Sequence, residues 1–108
     1  MLNLAHWTTK AARSTPDAPA LIEPDLGITR TFGELEQRTL ALAHVLQDLL
    51  GAGRGRRIAA LGRNSLEFVE LYIACAWSGT VLFPLNWRQA TAMNQAALVD
   101  ADPVAVFF

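Results

Sequence analysis

RIAALGRNSLEFVELYIACAWSGTVLFPLNWR, Arg57 to Arg88, decides the fold, because it reads as a complete strand, helix, strand unit. Arg57 to Leu61 is a short apolar run carrying the β-branched Ile58. Gly62-Arg63-Asn64-Ser65 is loop chemistry ending in two residues suited to cap a helix, and Asn64 stands three places before Glu67, the spacing of a capping box. From Leu66 to Trp77 the only charges are Glu67 and Glu70, so this helix is expected to be buried on more than one side. Gly79 supplies a left-handed residue to close it, Val81-Leu82-Phe83 restarts as a strand, and Pro84 is expected to end that strand. Two strands joined by a helix of this length run parallel, with a right-handed crossover in nearly all known cases. The expected fold class is therefore α/β, a partial three-layer domain in which a mainly parallel sheet is flanked by helices.

Upstream, Asn3 is a candidate N-cap for a helix reaching about Ser14, with Leu4, Trp7, Thr8 and Ala11 on one stripe, and Pro16 stops it. Ala20-Leu21-Ile22 reads as a short strand, Pro24-Asp25-Leu26-Gly27 as a turn, and Ile28 to Thr31 as the return strand of an N-terminal hairpin. Thr31 and Glu34 have capping-box spacing at the start of a longer helix. Leu35, Thr39, Leu42, Leu46 and Leu49 lay an apolar seam along that helix as far as Leu50. Downstream, Asn86 to Thr91 is a connection, Ala92 to Asp100 a short helix, and Val104 to Phe108 a wholly apolar strand of the kind buried on both faces of a parallel sheet.

The 108 residues suffice for one domain, and a net charge of −1 gives no global attraction to nucleic acid or an anionic membrane. A hydrophobic fraction of 52% is high for so small a domain, so an exposed apolar surface, available to further chain or to self-association, is expected. The single cysteine, Cys75, excludes an internal disulfide and lies in the most apolar helix, where it reads as a small hydrophobe. With no signal-peptide pattern and no long uninterrupted apolar run, no membrane span is expected and the chain reads as cytoplasmic.

Gly51 to Arg57, GAGRGRR, combines glycines and positive charge, but a phosphate loop leaves a strand and enters a helix, and here a helix comes first. Gly51 or Gly53 capping the long helix, with Arg54 and Arg56 at its negative end, accounts for the stretch. Asn64-Ser65 and Trp87-Arg88 follow strand ends, where ligands bind in open parallel sheets; Trp87 and Arg88 are the candidate substrate-binding residues, and all four have a structural reading as caps, a packing ring and a solvated cation. His6 and His44 have no second ligand at metal spacing. No catalytic residue, cofactor-binding residue or metal ligand is assembled from these residues.

Four words in order carry a resemblance. Thr29 to Leu35, TRTFGEL, resembles the (T)-(Y/F)-x-E-L opening of the adenylate-forming, or AMP-binding, superfamily. Gly51 to Leu61 resembles its glycine-rich segment l-G-v-g-x-G-d-R-V-a-l, with Arg57-Ile58 at the R-V, Asn64 to Phe68 (NSLEF) its N-s-x-E-f, and Trp77 to Asn86 (WSGTVLFPLN) its G-a-v-x-v-P-l-n. An N-L-a helix start at Asn3 and PDAPAL at Pro16 to Leu21 extend the likeness over essentially the whole chain. Pro84 to Arg88, PLNWR, is similar to the acyl-CoA synthetase, or fatty-acid CoA ligase, branch. Arg56 stands where an acidic residue is usual, and Gln89, Met93 and Asn94 depart from the branch's common leucine and glutamate-leucine wording.

The resemblance implies activation of a carboxylic acid by ATP to an acyl-adenylate, then thioester formation with coenzyme A. ATP, magnesium and coenzyme A are expected for a full-length family enzyme and none for this segment alone, since the family's phosphate loop, adenine-binding segment and C-terminal lysine all lie downstream. Residues 1–108 are expected to be the N-terminal part of such a large domain, inactive alone, with the remainder of the synthetase as partner. A free-standing interaction or oligomerisation module derived from the family is the alternative.

Overall fold

The computed structural model describes residues 4–48, 51, 55–62, 65–85, 88 and 91–107. The central unit folds as its sequence requires: β3 (Arg57–Leu61), α3 (Leu66–Ser78) and β4 (Val81–Leu85) follow one another, and the two strands pair in parallel from Arg57 opposite Val81 to Leu61 opposite Leu85. Ahead of it come α1 (Leu4–Ser14), an antiparallel hairpin of β1 (Pro19–Glu23) and β2 (Ile28–Thr31), and α2 (Phe32–Asp48). After it come α4 (Thr91–Ala101) and β5 (Ala105–Phe107), which returns to the other side of β3 to give the parallel order β4-β3-β5.

β3 is the axis of the sheet. Ile58, Ala59 and Ala60 are fully or almost fully buried, so both faces of this strand are covered. On one face Ile58 and Ala60, with Leu82 and Phe107 beside them, pack under Leu71, Ala74 and Cys75 of α3 and Ala43 and Leu46 of α2. Full burial of side chains such as Leu46 and Ile58 stabilises by roughly 1.5–3 kcal/mol each. Across the other face lies α4: Arg57, on the side of β3 opposite Ile58, donates from Nη1 to the Ala101 carbonyl at 3.0 Å. Helices on both faces make the three layers.

The helix ends follow local chemistry. The Thr31 amide donates to Glu34 Oε1 at 3.0 Å while the Thr31 hydroxyl accepts from the Glu34 amide at 3.1 Å, the reciprocal box expected at the start of α2. At α3 the cap is Ser65, whose hydroxyl accepts from the Phe68 amide at 3.2 Å; Asn64 lies outside the described residues. Gly79 is left-handed at φ 71°, and its amide and that of Thr80 both donate to the Cys75 carbonyl. Ser78 and Thr80, both buried, satisfy each other at 2.7 Å. Gly51 is also left-handed, at φ 64°, whereas Gly53 lies outside the described residues.

Three expectations need correction. β4 does not stop before Pro84 but runs through it to Leu85. Val81 donates its amide to the Arg56 carbonyl, so by alternation Leu82 and Pro84 point their nitrogens away from β3, and the missing N–H falls where no ladder partner stands among the described residues. The stripe of α1 is rotated: Ala5, Thr8 and Ala12 are buried, whereas Trp7 is 63% exposed. β5 is not enclosed on both faces, for Val106 is 42% exposed; α4, on that side, buries Ala101 alone among its described residues and leaves Val99 82% exposed.

α2 and α3 are tied by an ion pair that neither helix reveals alone. Arg38 Nε donates to Glu70 Oε2 at 2.7 Å, the carboxylate being buried and the guanidinium half-exposed. That hydrogen bond, with the carboxylate's charge, raises the Arg38 pKa further above its ordinary value. Glu70 Oε1 is buried without a hydrogen-bond partner among the described residues, so the arginine is what compensates this carboxylate.

Three outcomes test these contacts. Gly79→Val should lower stability by about 1–2 kcal/mol in chemical denaturation, through the penalty on a left-handed β-branched residue. Arg38→Ala should cost about 1–2 kcal/mol by stranding Glu70, and the double change to Arg38→Met with Glu70→Leu should recover most of that loss. The Glu34 carboxyl is held below its ordinary value of 4.5 by the Thr31 amide first and the Thr31 hydroxyl second. A lowered folded-state pKa gives stability that is whole above the unfolded value and drains as pH falls through the folded one. Glu34→Gln should therefore flatten the acid limb of the stability profile below about pH 5 and leave its neutral region without a slope from this group.

Candidate functional site

The connectivity makes the carboxyl ends of β3 and β4 a switch point, the place where a crevice is expected in an open α/β sheet. β3 passes to α3 on the Ile58 face, and the neighbouring β4 passes to α4 on the Ala59 face, so the two connections depart to opposite sides beyond the paired strand ends Leu61 and Leu85. A crevice of this kind, outside the carboxyl ends of parallel strands, is where open α/β sheets bind ligands. Ser65 stands at its edge, and Arg88 occupies an exposed turn position just past β4. Trp87, the other candidate from the sequence, and Asn64 lie outside the described residues.

Beside the crevice, under the N-terminus of α3, is a groove of about 440 Å³ walled by Leu42, Ala60, Phe68, Leu71 and Phe107, with the Ser65 hydroxyl and Glu67 among its few polar groups. Such a surface offers apolar contact and little directed chemistry. The Ser65 oxygen is engaged in capping α3, and no base stands against it among the described residues. Cys75 is no better a nucleophile: burial pushes its thiol up to about 11, leaving almost no thiolate at neutral pH. Among the described residues no group of three or more His, Cys, Asp or Glu side chains is placed to hold a metal ion. His44 is exposed.

Sequence reasoning placed Ser65 and Arg88 at strand ends correctly and missed the groove, because its walls come from four elements and only the fold brings Leu42 and Phe107 to Phe68. It also missed a second cavity, between α1 and the last turn of α3, lined by His6, Thr9, Lys10, Arg13, Ser14 and Trp77. The signal available there was the spacing of Lys10 and Arg13, two cations one helical turn apart on an otherwise uncharged helix face. No helix among the described residues is long and apolar enough to cross a membrane.

Comparison with known proteins bears on the whole of this architecture. The chain is 38% identical over 104 residues to the fatty acid–[acyl-carrier-protein] ligase ScoC of Streptomyces coeruleorubidus, covering 96% of this chain and 20% of the relative. It is 30% identical to the long-chain-fatty-acid–CoA ligase FadD13 of Mycobacterium tuberculosis, covering 100% of this chain and 21% of that ligase. In three dimensions it superposes on the crystal structure of the N-terminal domain of FACL13 from Mycobacterium tuberculosis with a TM-score of 0.92 and 30% identity, over 98% of this chain and 27% of the other. The chain thus spans about a fifth of the length of the curated relatives it matches. The sequence model of the AMP-binding enzymes matches residues 8–108, and the chain belongs to that family.

Proposed function

We propose that this chain is the opening part of the large domain of an ATP-dependent ligase that activates a carboxylic acid as its acyl-adenylate and passes the acyl group to the thiol of coenzyme A. The observation that carries the reading is the superposition, at a TM-score of 0.92, on the N-terminal domain of a mycobacterial FACL13. Fatty-acid ligases among the relatives, and a feruloyl-CoA synthase of an Amycolatopsis species that is 35% identical, support an acid with a sizeable apolar body.

Within such an enzyme the 108 residues act as scaffold. β3 anchors the sheet, α2 and α3 cover one face, and Val99 and Val106 present apolar surface suited to burial by further chain. Ser65 and Arg88 stand beyond the ends of β3 and β4, where substrate would approach, and their part, like that read for Trp87 from the sequence alone, is to shape and orient rather than to react. ATP and coenzyme A are co-substrates of the full enzyme. Magnesium accompanies ATP in the full enzyme; among the described residues there is no group of three or more His, Cys, Asp or Glu side chains placed for a metal ion.

Acid-dependent exchange of pyrophosphate into ATP tests the reading. The natural chain that contains this segment should catalyse exchange with a fatty or aryl acid, and the isolated 108 residues should show none above background. Exchange by the isolated piece would sink the scaffold assignment, and a natural chain inert with every acid class would sink the ligase assignment.

A further inference from the structure

We propose that the outer edge of β5 and the bare flank of α4 seat the segment that follows residue 108 in the natural chain: a helix lying beside α4, leading to a strand that pairs in parallel with β5. This assignment builds on the ligase reading, under which most of the sequence lies outside these residues, the chain covering 20% of one relative and 21% of another.

The two outer edges of the sheet are not equivalent. Val104 donates its amide to the Arg57 carbonyl at 2.8 Å, so by alternation Ala105 and Phe107 turn amide and carbonyl away from β3, to a side where no strand stands among the described residues. At the opposite edge β4 turns out Leu82 and Pro84, and Pro84 has no N–H to offer. A row of unpaired backbone groups is a template for a further strand, and a proline blunts it. β5 is therefore the edge at which this sheet is ready to grow.

Handedness decides where the connection runs. From β3 to β4 the chain steps one way with α3 on the Ile58 face; from β4 to β5 it steps back across β3 with α4 on the Ala59 face, so both connections share one hand. A further step outward from β5 continues the second direction, and the same hand puts its helix on the side of α4. Apolar surface waits there. Val106 is paired with Ala59, shares its face and is 42% exposed. α4 carries a single charge, Asp100, yet buries Ala101 alone and leaves Met93 58% and Val99 82% exposed. A helix this apolar calls for cover on more than one side. A tight hairpin return would fill the edge and leave α4 bare, whereas a crossover helix covers both. A second copy of the chain competes poorly, because a segment joined to β5 by a short link is present at an effective concentration of about millimolar.

Two measurements on the natural chain test this. In hydrogen exchange resolved to single residues, the Ala105 and Phe107 amides should exchange within about tenfold of the Val106 amide, which faces β3. Exchange at the rate of unfolded chain overturns the strand. For the helix, Val99→Met with Met93→Leu is produced on a diazirine analogue of methionine and irradiated; each substitution replaces one exposed apolar side chain by another, so the fold is kept. Residue 99 should crosslink within its own molecule to a peptide lying within about 40 residues after position 108, the reach of one strand, helix, strand unit. No crosslink, a crosslink farther along the chain, or one between ¹⁵N-labelled and unlabelled copies overturns the helix. Acid-dependent pyrophosphate exchange reads the ligase assignment separately: an active enzyme without the crosslink refutes the docking alone, and an inert chain with it refutes the ligase alone.

Discussion

The burial of β3 from both sides is the constraint on which the rest depends. A strand can be covered twice only if the helices joining it to its neighbours lie on opposite faces, and a strand so covered has to be small as well as apolar where helices approach closely. Ile58, Ala59 and Ala60 meet both conditions, with one branched side chain filling the space beneath α3 and two methyl groups admitting close packing on either side. The opposite placement of α3 and α4 follows from the same demand. That placement, in turn, is what leaves a crevice between the ends of β3 and β4. The candidate site is thus a by-product of covering one strand.

Much of this was legible because the relevant interactions are short in sequence. The Thr31–Glu34 box, the left-handed Gly79 and the parallel pairing across α3 each rest on rules spanning a few residues, and each is found as read. What could not be read depends on neighbours distant along the chain. Pro84 ends a strand unless its nitrogen faces away from the ladder, and that is decided by strand order. Trp7 was put on the stripe of α1 by its helical spacing with Leu4, Thr8 and Ala11, yet α1 turns its small residues Ala5 and Ala12 inward.

The candidate site divides in the same way. Ser65 and Arg88 were placed at strand ends by counting elements, and the resemblance of Pro84 to Arg88 to fatty-acid CoA ligases agrees with the relatives found. Trp87 lies outside the described residues, so its role stays with the sequence. Neither the groove at Phe68 nor the cavity at Trp77 has a local motif. Both arise where side chains of separate helices and strands happen to converge, and Arg38 with Glu70, 32 positions apart, is the clearest case of such a non-local match.

Arg57 has a temporal consequence as well as a spatial one. Its carbonyl accepts from the Val104 amide and its guanidinium holds the Ala101 carbonyl, so a single residue at the start of β3 grips the chain on both sides of the turn into β5. Closing that contact spans 44 positions, whereas β3, α3 and β4 assemble from a contiguous stretch. Loop-closure entropy favours the contiguous unit as the earlier structure, with β5 arriving on a template already set. During synthesis from the N-terminus, Arg57 would then be a waiting latch, and β5 the last strand of this segment to be caught.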